Sequence, residues 1–118
     1  MVKDDKFIDA FAEFLNTLGE KNRLQILFAL QEAPRSVNEI VEVTGLSQPL
    51  VSFHLKTLRQ RGLVATNRKK TFAYNYIKDE KLVEDLLELS SHLEQYSSEE
   101  TDFDFKWPPW RNCKFFQD

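Results

Sequence analysis

The sequence predicts a mainly α-helical domain (α+β) carrying one two-stranded β-hairpin. Apolar residues recur at spacings of three and four through most of the chain, and they alternate residue by residue only around Phe72, Tyr74 and Tyr76. Gly19, Pro34, Gly45 and Gly62 fall between the periodic segments, where helix breakers belong. The chain has 118 residues, 42% of them apolar and 30% charged, which suits one globular domain rather than two.

Phe7, Ile8, Phe11, Phe14, Leu15 and Leu18 describe one face of a first helix, which Gly19 ends. A second helix is expected from about Glu20 to Glu32, with Leu24, Leu27, Phe28 and Leu30 apolar and Pro34 closing it. Ser36 followed by Glu39 reads as a capping box, in which hydroxyl and carboxylate each take an orphan amide of the first turn. The short helix it opens buries Ile40, Val41 and Val43 and stops at Thr44-Gly45. Ser47 then caps a fourth helix, and Pro49 is tolerated in a first turn whose amides lack intrahelical partners. Val51, Leu55 and Leu58 form its inward stripe, and Gly62 terminates it. Leu63–Thr66 and Thr71–Ile77 read as two strands joined by Asn67–Lys70, a hairpin with a cationic tip. From Asp79, as N-cap, a last helix is expected to run to about Tyr96.

Net charge is −3, which taken alone argues against a polyanionic partner. Its distribution argues the reverse. Between Glu42 and Asp79 the chain carries Lys56, Arg59, Arg61, Arg68, Lys69, Lys70 and Lys78 and no carboxylate. The rest carries nine of the 16 cations and all 19 carboxylates. Phosphate attraction is local, screened within ~10 Å, so a cationic surface on an acidic chain can bind nucleic acid. The bland alternative is a solvated basic face.

Two short helices joined by a three-residue turn, followed by a basic hairpin, make a winged helix-turn-helix pattern. The fourth helix is narrow enough for the major groove of double-stranded DNA, with its N-terminal polar residues meeting base edges. Candidate DNA contacts are Ser47, then Gln48 and Ser52 at base edges, with His54 at their flank for a phosphate or a base edge. Lys56, Arg59 and Arg61 suit phosphates, and Arg68, Lys69 and Lys70 the backbone or the adjacent minor groove. Gln48 can pair bidentately with adenine, while Phe53 could meet a thymine methyl or simply pack.

These residues resemble a known family. Leu18–Leu24, the run Leu46-Ser47-Gln48-Pro49 through Ser52-Phe53-His54-Leu55-Lys56, and Leu58–Val64 are similar to the ArsR/SmtB family of prokaryotic transcriptional repressors over roughly residues 7 to 96. The resemblance implies a homodimer built on the first and last helices, an inverted-repeat operator and release by an inducer. The sequence supports the dimer independently. Phe7, Phe11 and Phe14 and Leu86, Leu87 and Leu93 are more apolar residues than a small core can cover, unless the C-terminal aromatics cover them.

The departures from the family bear on metal. Where many members carry a Cys-x-Cys motif this chain has Ser36 and Asn38, and soft-metal ligands are absent there. The positions matching the zinc site of other members are Asp79, Lys81, His92 and Gln95, of which only two are ligands. The expectation is no metal and no cofactor. The effector stays open: a small molecule, a redox or protein signal, or none.

Domain organisation is expected to be residues 1–96, for DNA binding and dimerisation, and an acidic then aromatic tail over 97–118. That tail holds Phe103, Phe105, Trp107, Trp110, Phe115 and Phe116, and it could dock on the domain, cover an effector pocket or grip a protein partner. The lone Cys113 excludes an internal disulfide framework. No apolar run approaches the ~18 residues of a membrane span, and the N-terminus lacks a signal-peptide core, so a cytoplasmic location is expected and no membrane partner. No nucleophile–base pattern or phosphate-cradling glycine loop appears, which excludes the common enzyme classes. The competing class is a winged-helix scaffold that binds a protein partner through the tail.

Overall fold

The computed structural model describes residues 4–96. The acidic and aromatic segment 97–118, with Cys113 and the docking roles considered for it, lies outside the described residues. The elements are α1 (Asp5–Leu18), α2 (Lys21–Glu32), α3 (Val37–Thr44), α4 (Gln48–Gln60), β1 (Val64–Lys69), β2 (Phe72–Ile77), α5 (Glu80–Leu89), a 3-10 turn (Ser90–His92) and α6 (Leu93–Tyr96). They form a winged helix-turn-helix. The chain divides into two compact units, one ending at Lys78 and the other beginning at Asp79.

Caps explain the helix boundaries of the first unit. The Asp4 carboxylate accepts from the Phe7 amide at 2.7 Å, and the Glu20 carboxylate accepts from the Arg23 amide at 2.9 Å. The capping box at α3 forms in both directions: the Ser36 hydroxyl accepts from the Glu39 amide at 3.2 Å, and the Glu39 carboxylate accepts from the Ser36 amide at 3.1 Å. Gly45 ends α3 at φ 77°, a left-handed conformation that costs glycine nothing, with its amide donating to the Val41 carbonyl at 2.9 Å. At the end of α4 the Gly62 amide reaches the Arg59 carbonyl at 3.0 Å and the Leu63 amide reaches the Leu58 carbonyl at 2.9 Å, a Schellman motif.

The core of this unit sits between α2, α3, α4 and the hairpin. Ile26 through Leu30 are consecutively buried, so α2 is covered nearly all round and is the central helix. Ile40 and Val43 of α3, Val51, Leu55 and Leu58 of α4, and Leu63, Val64 and Ile77 complete it. Val41, expected to be buried, is only half-buried. The hairpin is antiparallel in the register Val64↔Ile77 to Lys69↔Phe72. Pairing thus continues through the residues expected to be its loop, leaving a two-residue turn of Lys70 and Thr71, with Lys70 at φ 58°. Arg35, just before α3, adds a single bridge to Asn75 on β2.

In the second unit the expected continuous helix is interrupted. The Asp79 carboxylate caps α5 by accepting from the Leu82 amide at 3.2 Å. At its other end the Ser90 hydroxyl donates to the Leu87 carbonyl at 2.5 Å, a local bond that competes with the helical ladder and coincides with the switch to 3-10 geometry.

Candidate nucleic-acid interface

α4 is presented by the turn before it. The Thr44 hydroxyl donates to the Ile40 carbonyl at 2.7 Å and accepts from the Leu46 amide at 3.2 Å, so one side chain ties the end of α3 to the loop. The Ser47 hydroxyl accepts from the Leu50 amide at 3.4 Å and caps α4. With Val51, Leu55 and Leu58 buried, the helix has an outer face in which Gln48, Ser52, Lys56 and Arg59 are all exposed. Ser47 is exposed beside them, as are Arg68, Lys69 and Lys70 along the end of the hairpin.

His54 does not join that face. Its side chain is buried at 6% exposure, because it lies three residues after Val51 and four before Leu58, on the apolar stripe itself. That spacing was present in the sequence and could have placed it. His54 Nε2 lies 3.7 Å from the Glu20 carboxylate, and its Nδ1 is buried without a hydrogen-bond partner among the described residues. Burial works against the Glu20 charge. The Arg23 and Asn22 amides, with the attraction of His54 and Arg23, nevertheless hold its carboxyl below the ordinary value of 4.5. The residue that projects near the polar row is Phe53, 62% exposed.

Two of the expected phosphate contacts are also engaged within the chain. Arg61 Nη1 donates to the Glu13 carboxylate at 2.6 Å, an exposed ion pair that ties the end of α4 to α1. Arg59 Nη1 reaches Asn75 Oδ1 at 3.5 Å. Among the described residues Lys56, Arg68, Lys69 and Lys70 form no ion pair.

This arrangement of turn, outward helix and basic hairpin matches known regulators. Residues 20–66 match the family model of bacterial regulatory proteins of the arsR family. A crystal structure of Rv0081 from Mycobacterium tuberculosis superposes with a TM-score of 0.72 at 30% identity, over 82% of this chain and 98% of that one. The chain belongs to the ArsR family. It is a family of regulators rather than enzymes. The SmtB transcriptional repressor of Mycobacterium tuberculosis is 33% identical over 87 residues, 74% of this chain; the match spans 64% of the repressor, less than two thirds of its length. The homodimeric winged helix-turn-helix DNA-binding domain Mb0332 of Mycobacterium bovis aligns with a TM-score of 0.67 at 25% identity, over 81% of this chain and 94% of that one.

Three of the positions that the ArsR/SmtB resemblance associates with metal have local roles here. Ser36 caps α3, and Asp79 caps α5. Lys81 donates to the Asp85 carboxylate at 3.1 Å, and that bond and charge hold its ammonium above the ordinary lysine value. His92 and Gln95 are exposed, in the 3-10 turn and in α6.

The residues expected at an ArsR dimer interface divide by exposure. Phe7, Phe11 and Phe14 are exposed along α1 and form a row of rings, with centroids 5.6 Å and 6.2 Å apart. Leu86, Leu87 and Leu93 are half-buried, whereas Leu89 is exposed.

Proposed function

We propose that this chain is a homodimeric, sequence-specific DNA-binding transcriptional regulator that represses by occupying an inverted-repeat operator, without the metal sites used by many relatives. The observation that carries the reading is the exposed face of α4. Gln48 and Ser52 stand at the N-terminal end of a helix whose other side is locked into the core, in a stretch of chain free of carboxylates. A helix so held can enter the major groove with its N-terminal residues against base edges, while Lys56 and the hairpin cations meet phosphates.

The dimer reading rests on Ile8, Phe11, Phe14 and Leu15, all exposed on α1. A contiguous aromatic and aliphatic face of this kind is costly in water and is ordinarily an interface. Two copies related by a two-fold axis would present two α4 helices to one face of the duplex, which is what a palindromic site requires.

The test is selection of binding sites from a random duplex library with the purified protein at near-physiological salt. An inverted repeat, with half-site centres a whole number of helical turns apart, supports the dimeric regulator. Recovery of random duplex alone, with binding abolished by moderate salt, would overturn it and favour the protein-scaffold alternative.

A further inference from the structure

We propose that Phe53 is a specificity-determining residue that reads the 5-methyl group of a thymine in each half-site, an inference that rests on the DNA-binding reading above. Pro49, Phe53, Lys56 and Gln60 follow one another at spacings of four, three and four, and all are exposed. At 3.6 residues per turn they form the row opposite the buried stripe of Val51, Leu55 and Leu58, so Phe53 points directly away from the core from the middle of the helix. It is the large apolar side chain that α4 leaves exposed, at 62%.

The occupant of this ring is constrained by its surroundings. Pro49 and Lys56 neighbour it on the helix surface, and the chain from 43 to 78 offers seven cations and no carboxylate. A second copy of the same surface would bring like charges together. A DNA major groove supplies both halves of what the face lacks: anionic walls for the cations and, on its floor, one apolar group, the thymine methyl.

The ring is also held from behind. The imidazole of His54 packs edge-on against Phe53, with centroids 5.2 Å apart and planes at 77°. His54 is itself buried and faces Glu20, the N-cap of α2. The pair therefore joins a buried inner ring to an exposed outer one, and less side-chain freedom remains to be lost on binding. In this arrangement His54 acts as a positioning residue for Phe53.

The experiment uses the selected operator, replacing each thymine in turn by uracil, which deletes the methyl and leaves every hydrogen-bonding group in place. The wild-type protein is expected to lose roughly four-fold in affinity per half-site at one symmetry-related position, the worth of one buried carbon, and to be indifferent elsewhere. Phe53→Ala should bind the thymine and uracil operators equally, whereas Phe53→Leu should keep part of the discrimination. An operator recovered but insensitive to uracil at every position overturns the proposal, as does discrimination that survives Phe53→Ala. The wild-type arm needs no variant, so a folding defect cannot shelter the idea. If no operator is recovered, the DNA-binding reading fails and takes this proposal with it, an outcome distinct from an operator blind to the methyl.

Discussion

The Arg35 carbonyl accepts two hydrogen bonds from Asn75, one from the amide at 2.8 Å and one from the side-chain nitrogen at 3.1 Å. Arg35 returns one through its own amide at 3.0 Å. The Asn75 side-chain oxygen accepts from the Thr66 hydroxyl at 3.0 Å and is the atom that Arg59 reaches. At 2% exposure, Asn75 thus joins the segment before α3, both strands of the hairpin and α4. Truncating it leaves the Arg35 and Thr66 groups short of a buried partner. Asn75→Ala is expected to lower stability by ~1–3 kcal/mol, read as a lower urea midpoint with unchanged slope. An unchanged midpoint would show that water replaces these bonds at no cost.

Asn75 also marks where sequence reading stops. In an alternating strand of Phe72, Tyr74 and Tyr76 it reads as an outward polar residue, and its burial depends on a bridge to a residue 40 positions away. Nothing in local periodicity encodes that pairing. The helix starts were legible because Ser36, Ser47 and Asp79 each carry the side chain their backbone position needs. His54 is legible in principle, because its spacing from Val51 and Leu58 is that of the buried stripe although its side chain is polar. The break after Leu89 was not, since a helix interior tolerates serine and only the bond from Ser90 to the Leu87 carbonyl reveals the bend.

Acid should act on the α2 cap. The folded Glu20 carboxyl sits below its ordinary value of 4.5, so the unfolded chain takes up the proton first as pH falls. The cap's contribution is therefore present above that ordinary value and is lost as pH drops through the lower folded value. Glu20→Gln should flatten the fall in stability as pH drops below the ordinary value of 4.5, measured as urea midpoints across the acid range. Parallel pH profiles for the two proteins would remove Glu20 as the source.

Charge on the α1 face should separate assembly from folding. Phe11 is 46% exposed and its ring contacts are with Phe7 and Phe14 of the same exposed row, so Phe11→Glu leaves the buried core of the subunit untouched. Sedimentation is expected to show the variant as a monomer at concentrations where the wild type is a dimer. Operator affinity should fall more than affinity for a single half-site, because paired binding supplies the avidity. A variant that remained dimeric would move the interface away from α1.

Base reading and phosphate attraction should part company at Gln48 and Lys69. Gln48→Ala is expected to cost ~1–3 kcal/mol on the operator, concentrated at one base pair, and little on random duplex. Lys69→Ala should weaken both duplexes alike and lower the salt dependence by about one unit per hairpin. Equal losses on both duplexes from the two changes would show that α4 does not read sequence.

Lys70 combines two effects that oppose each other. It occupies the first position of a two-residue turn at φ 58°, where a Cβ is crowded, at a cost of ~1–2 kcal/mol that glycine does not bear. Glycine gives back roughly 0.5–1 kcal/mol through the greater freedom of the unfolded chain. Lys70→Gly should therefore stabilise the protein by a few tenths to about 1 kcal/mol, read as a higher urea midpoint. The same change removes a cation from the tip, so DNA affinity should fall and the salt dependence should flatten as it does for Lys69→Ala. Lys69, paired with Phe72 in the ladder, has no positive φ to relieve and its alanine variant should gain no stability. If Lys70→Gly left both stability and DNA binding unchanged, neither the strain nor the contact would stand.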